Sequence, residues 1–210
     1  MSNSIPVHIP SSPRGLALLF HGVGAIPQNM VTLGRAIADA HPDWTVISVA
    51  SPDPSDLGPG GQGSGYQWFS VRDIDEDSRP QRIAAAMPRF TACVKAWQAQ
   101  TGTGAADTTL LGFSQGAIMA LEATQAEEGL AARIIAFSGR FGTPPRRKPD
   151  ADIHLIHGDA DTVVASAWSI RAHDQLTALG APNTLDIIPG LTHGINAEAT
   201  RCGLSYLAQE

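Results

Sequence analysis

Charge is scarce in this sequence, and so are the features that mark a membrane protein, a disulfide scaffold or a nucleic-acid partner. Charged residues make up 16% of 210, they sum to a formal −6, and the basic run Arg146-Arg147-Lys148 stands alone. Phosphate backbones select a basic surface, so nucleic acid is excluded as the main partner. The basic run lies among Pro144, Pro145 and Pro149 and reads as a solvated loop. Two cysteines, Cys93 and Cys202, cannot build a disulfide framework and have no C-x-x-C spacing. Free thiols in a reducing cytoplasm are therefore expected. No apolar run approaches the roughly 20 residues of a membrane span, and the opening MSNSIPVHIPSSPRG lacks the apolar centre of a signal peptide. A cytoplasmic protein without stable membrane insertion follows as the expectation.

What is present suits one globular core. The length and the 43% hydrophobic content fit a single domain over residues 1–210, with residues 1–13 as an extended N-terminal segment. "LALLF" (Leu16 to Phe20) and "WTVISVA" (Trp44 to Ala50) read as strands. Between them Met30, Leu33, Ile37 and Ala40 fall on one helical face, which makes a βαβ unit. The stretch Ser51 to Gly65 holds five Gly and three Pro, so residues 51–71 read as a long loop beside the cleft, carrying Tyr66, Trp68 and Phe69.

Further on, Ile83, Met87, Phe90, Val94 and Trp97 recur at gaps of 4, 3, 4 and 3, an amphipathic helix capped by Asp77 or Ser78 and kinked at Pro88. "ARIIAFS", "DIHLIHG" and "NTLDIIPG" read as strands, the stretch ending at Gly180 as a helix, and the tail from Ile195 as helical. Alternation of this kind predicts an α/β fold: a mostly parallel central sheet with helices on both faces and no large cap domain.

Gly112-Phe113-Ser114-Gln115-Gly116 matches G-x-S-x-G at the point where a β-branched, apolar run gives way to a helix-forming one. A serine on a strand-to-helix turn is the context of a nucleophile elbow. The flanking glycines permit the sharp turn, and Ala117 and Ala120 let the helix approach the sheet. A serine hydroxyl needs a base to take its proton, and histidine titrates near neutrality. Asp159 and Asp161 follow the "DIHLIHG" strand, and His193 follows "NTLDIIPG". All sit where strands end, which is where open α/β sheets form their sites. The order Ser, Asp, His is that of α/β-hydrolases. His154 and His157 are expected to share one sheet face in a structural role, because H-x-x-H without nearby cysteines is poor zinc chemistry. His21 reads as a hydrogen-bonding scaffold for the turn after the first strand.

"LLFHGVG", "YQWFSV", "LGFSQGAIMAL", "AFSGR", "IHGDADTVV" and "GLTHGI" together span most of the chain. On these blocks the sequence resembles the small carboxylesterase/phospholipase family of α/β-hydrolases, which includes acyl-protein thioesterases, and within it a branch of bacterial esterases. The resemblance implies Ser114 as nucleophile, Asp161 rather than Asp159 as the acid, and His193 as the base. It implies an oxyanion hole from the backbone N–H groups of Val23 and Gln115, whose side chains would be free to vary. It makes Trp68 and Phe69 a substrate-lining segment. Many members carry an acidic residue after that pair where this chain has Ser70, so no charged role passes to the segment.

The implied activity is hydrolysis of short- to medium-chain carboxylic esters, with thioesterase or lysophospholipase action as the alternative. No cofactor or metal is implied, the partner is a small-molecule ester or thioester, and the chain is a monomer or weak homodimer. A non-catalytic binding module on the same fold is the competing class. Such a module usually loses a triad group or an elbow glycine, and this sequence keeps them all.

Overall fold

The computed structural model describes residues 3–208. Its strands are β1 (Ile5–His8), β2 (Gly15–Phe20), β3 (Trp44–Val49), β4 (Asp53–Pro54), β5 (Tyr66–Gln67), β6 (Thr108–Phe113), β7 (Arg133–Phe137), β8 (Asp152–Gly158) and β9 (Asn183–Ile188). Its α-helices are α1 (Val31–Ala40), α2 (Ser78–Thr101), α3 (Gln115–Ala126), α4 (Ala167–Ala178) and α5 (Ala197–Leu207). The main sheet runs β1-β3-β2-β6-β7-β8-β9, with β1 antiparallel to β3 and every other neighbouring pair parallel.

The sheet splits the apolar residues by strand parity. Leu16, Leu18 and Phe20 face one side with Phe90 and Val94 of α2, Met119 and Leu121 of α3 and Leu176 of α4. Ala17 and Leu19 face the other with Leu33 and Ile37 of α1 and Ala199 and Leu207 of α5. Both sheet faces are therefore covered, which explains why β2 is buried at every position. This is the α/β-hydrolase arrangement expected from the sequence. The chain leaves β2 toward β3 and later returns to place β6 on its other side. That reversal opens a crevice at the carboxyl ends of β2 and β6.

Several local features differ from expectation. Ile5–His8 is a sheet strand, within what the sequence suggested only as an extended segment. The 51–71 loop is pinned at its base by β4 and β5, two-residue strands that pair with each other. Tyr66 N–H donates to Ala25 O at 2.9 Å and Gly24 N–H to Tyr66 O at 3.0 Å. A side chain at Gly65, where φ is +74°, would strike the Gly24 and Ala25 carbonyls, so glycine there lets the long loop seat on the turn after β2.

Helix α2 passes through Pro88 without a break, and the residues Ala84 and Pro88 that lose a hydrogen bond are exposed to water. Neither Asp77 nor Ser78 caps α2 through its own side chain in the usual manner. Instead Ser78 N–H donates to Asp75 Oδ1 at 2.7 Å, and Asp75 N–H donates back to Ser78 Oγ. His154 and His157 lie on opposite faces of β8, contrary to the shared face expected. His154 stacks on Tyr206 of α5, while His157 meets Ser169 of α4. An odd offset along a strand always separates faces, since the side-chain period is two.

Candidate active site

Ser114 sits on the turn between β6 and α3 with φ +52° and ψ −114°, a conformation uncommon outside glycine. The neighbours hold it there. A Cβ on Gly112 would collide with the Ala117 backbone, and one on Gly116 with the Phe20 carbonyl. Ser114 N–H donates to Phe137 O of β7 at 3.0 Å, which anchors the strained turn to the sheet. The flanking glycines are thus required by close approach of backbone rather than by flexibility.

His193 lies after β9, with its ring tilted against Phe113 at 4.9 Å. Its Nε2 is 3.0 Å from Ser114 Oγ and its Nδ1 is 2.7 Å from Asp161 Oδ2. A carboxylate only accepts, so Nδ1 carries the proton and Nε2 is left as an acceptor facing the serine. The structure therefore brings Ser114, His193 and Asp161 into one hydrogen-bonded chain. Asp159 stands apart: it is exposed, and its Oδ1 accepts from Gly190 N–H, tying the β8 loop to the β9 loop.

Asp161 is held on both oxygens. Oδ1 accepts from Val163 N–H and Val164 N–H, each at 2.9 Å, while Oδ2 also lies 3.2 Å from His157 Nε2. Burial alone would raise its pKa. The hydrogen bond from His193 and those from Val164 and Val163 outweigh burial and hold the carboxyl below its ordinary range. His157 donates from Nε2 to Val164 O at 2.7 Å and accepts at Nδ1 from Ser169, and burial lowers its pKa. It is thus a neutral brace for the carboxylate. In the sequence this contact leaves no mark beyond the i, i+4 spacing from His157 to Asp161.

Val23 and Gln115 both line the cleft with Ser114. Gln115 opens α3, so its N–H has no intrahelical acceptor and points with the positive end of the helix dipole. His21 braces the Val23 turn from beneath. Ser51 N–H donates to His21 Nε2 at 3.2 Å, so Nδ1 holds the proton and donates to Gly22 O at 2.8 Å. Burial lowers the His21 pKa, in keeping with a neutral ring.

The Gln115 side chain is not free to vary. Its Oε1 accepts from Trp68 N–H and its Nε2 donates to Phe69 O, both at 2.8 Å. One amide thereby clamps the Trp68–Phe69 segment over the elbow. Only Phe69 of that pair lines the cleft. Trp68 corrects the expectation: it turns the other way and packs on Phe90 at 4.9 Å and Phe20 at 6.2 Å, inside the core. The chain bends at Trp68 and Phe69 after β5, and the two side chains part there.

Val71, Arg79, Ile118, Arg140, Val163, Val164 and Trp168 complete a cleft of about 200 Å³. Among the described residues, no group of three or more His, Cys, Asp or Glu side chains is arranged to hold a metal ion. No helix among them is long and apolar enough to cross a membrane. Cys93 and Cys202 are free thiols, and burial raises them to about 11 and about 12.

A strained serine at a topological switch point, hydrogen-bonded to a histidine from the loop after a later strand, defines an α/β-hydrolase. The family model for phospholipases and carboxylesterases matches residues 7–208. The chain belongs to that family and is a carboxylic ester hydrolase. It is 45% identical to Esterase YpfH of Escherichia coli (strain K12) over 203 residues, covering 96% of this chain and 85% of that protein. Among solved structures, esterase PE8 superposes with a TM-score of 0.84 at 32% identity, covering 97% of this chain and 95% of its own. A carboxylesterase from Mesorhizobium loti shares the fold with a TM-score of 0.79 at 20% identity, over 99% of this chain and 100% of that one.

Proposed function

We propose that the protein is a serine esterase that hydrolyses short- to medium-chain carboxylic esters through an acyl-Ser114 intermediate. The observation that carries this reading is the chain Ser114 Oγ, His193 Nε2, His193 Nδ1, Asp161 Oδ2, with links of 3.0 and 2.7 Å. His193 takes the serine proton as Oγ attacks the ester carbonyl, and then gives it to the departing alkoxide. Water repeats the sequence in reverse to release the acid. Asp161 stays ionised, holds the imidazole with its proton on Nδ1 and stabilises the imidazolium that forms.

The oxyanion is received by the N–H groups of Gln115 and Val23, the first aided by the α3 dipole. Phe69 lines the acyl or alcohol side of the cleft. The cleft volume of about 200 Å³ favours short chains. Free Cys93 and Cys202 suit a reducing cytoplasm.

The test is hydrolysis of 4-nitrophenyl acetate, butyrate, octanoate and palmitate by the wild type and Ser114→Ala. The expected result is saturable turnover, greatest at the short end and abolished by the substitution. A palmitate optimum would overturn the chain-length reading, and full activity in Ser114→Ala would overturn the serine mechanism.

A further inference from the structure

Two arginines share the small cleft with Ser114, and their environments differ. Arg140 is fully committed. Its Nη1 and Nη2 donate to Glu76 Oε1 and Oε2 at 3.0 and 2.6 Å, its Nε donates to Phe141 O at 3.1 Å, and its guanidinium lies 3.3 Å above the Trp168 ring. Arg79 is not. Its side chain is 18% exposed, and Nη2 reaches Glu76 Oε1 only at 3.5 Å, the edge of hydrogen-bonding range. Its Nε is buried with no hydrogen-bond partner. Unsatisfied buried donors are rare in folded proteins, and this one belongs to a cation on the wall of the cleft that holds the nucleophile.

The surrounding charge limits which anion fits there. Glu76 is the carboxylate both guanidinium groups approach, and its hydrogen bond to Arg140 holds it ionised, below the usual carboxylate range. Asp161 lies behind the His193 ring, with its oxygens occupied. Arg79, on the wall of the cleft that holds Ser114, thus keeps guanidinium donors unspent. Planar guanidinium matches planar carboxylate. With Glu76 alongside, a singly charged acceptor fits where a dianion would be repelled.

We propose that Arg79 is a substrate-recognition residue, and that the preferred substrates are small esters carrying a free carboxylate, which the Arg79 guanidinium receives while Ser114 attacks the ester carbonyl. The proposal rests on the serine-esterase reading above. Arg140, locked by Glu76 and Trp168, forms the rigid wall against which the carboxylate is positioned.

The experiment compares matched esters through ethanol or propanol release and through the acid liberated. Monoethyl glutarate against ethyl valerate places the carboxylate on the acyl side. Butyryloxyacetate against propyl butyrate places it on the alcohol side. On at least one arm the wild type should favour the charged ester by about tenfold or more in kcat/KM, chiefly through KM. Arg79→Gln should collapse that ratio toward one, and Arg79→Lys should keep part of it. Each ratio compares two substrates on one protein, so a loss of folded enzyme cancels.

Equal rates on both arms, with hydrolysis still dependent on Ser114, would overturn carboxylate recognition and leave the esterase reading standing. A preference unchanged in Arg79→Gln would overturn the role of Arg79. No hydrolysis of any ester, and no fluorophosphonate label on folded protein, would overturn the esterase reading itself.

Discussion

Asp161 and Glu122 are two carboxyl groups withdrawn into the same fold, each accepting two backbone N–H groups, yet their ionisation is driven in opposite directions. Glu122 Oε1 accepts from Gly142 N–H at 2.6 Å and from Thr143 N–H at 3.1 Å. Burial nevertheless raises its pKa, against those hydrogen bonds and the more distant Arg146 and Arg140. Asp161 has the same pair of N–H donors on one oxygen and adds His193 and His157 on the other, and its pKa is lowered. One difference is the heavier desolvation at Glu122, and the other is the imidazole partner at Asp161. Two backbone donors do not offset burial at Glu122, whereas two donors and a hydrogen-bonded histidine do at Asp161.

The cavities around the two groups differ in the same sense. Glu122 lines a cavity of about 660 Å³ between α2 and α3, walled by residues such as Ile83, Met87 and Pro88. The cleft at Ser114 has less than a third of that volume. Size alone would favour the larger cavity. The smaller cleft has a strained serine, a histidine facing it and a helix amino terminus converging on one point. Convergence of groups that can exchange a proton and receive a charge is what marks a catalytic site.

Substitutions can break this comparison at either carboxyl. Asp161→Asn should have the largest effect, cutting kcat by about 10³–10⁴-fold in steady-state ester hydrolysis, because the amide can present a donor to Nδ1 and reverse the imidazole tautomer. It should also remove stability in a defined window. A lowered native pKa gives Asp161 a stabilising contribution that is full above its ordinary value near 3.8 and is lost as pH falls through the lowered value. Urea midpoints measured from pH 2 to 7 should therefore fall less steeply in acid for Asp161→Asn than for the wild type.

Gln115→Ala comes next. It leaves the oxyanion N–H in place but unclamps Trp68 and Phe69, leaving a buried N–H and a buried carbonyl unpaired. A stability loss of about 2 kcal/mol is expected by denaturant titration, with kcat/KM reduced about tenfold or more as the cleft wall loosens.

Glu122→Gln should be the mildest. Its raised pKa means that its stabilising contribution is full below about pH 4.5 and is lost as pH rises through the elevated value. The amide keeps an acceptor for Gly142 and Thr143 without the buried charge. Thermal unfolding near pH 7 should show a gain of less than about 1 kcal/mol, with ester hydrolysis unchanged. A gain at pH 4 as large as that at pH 7 would contradict burial of charge as the cause.

The groups that could be read from the sequence are those fixed by local chain geometry. Gly112 and Gly116 around Ser114 announce a turn that only small neighbours allow, and the gaps between Ile83 and Trp97 announce a buried helix face. Asp161 and His193 follow strands, so the sheet gathers their loops at one edge. Contacts set by packing left no such mark. Arg140 meets Glu76 across 64 residues of sequence, and Gln115 meets Trp68 across 47. Whether Trp68 or Phe69 would face the cleft depended on the path of the chain leaving β5, which composition does not determine. The edge strand β1 is only four residues long and contains Pro6, so its pairing with β3 is what marks it as a strand.

The most direct measurement is peptide mapping by mass spectrometry after reaction with a fluorophosphonate, on the wild type and on His193→Ala. The account predicts a single phosphonyl adduct on Ser114 in the wild type, formed at least about 10³-fold more slowly when His193 cannot take the proton. An adduct on another residue, or equal labelling rates in the two proteins, would contradict an activated Ser114 as the nucleophile.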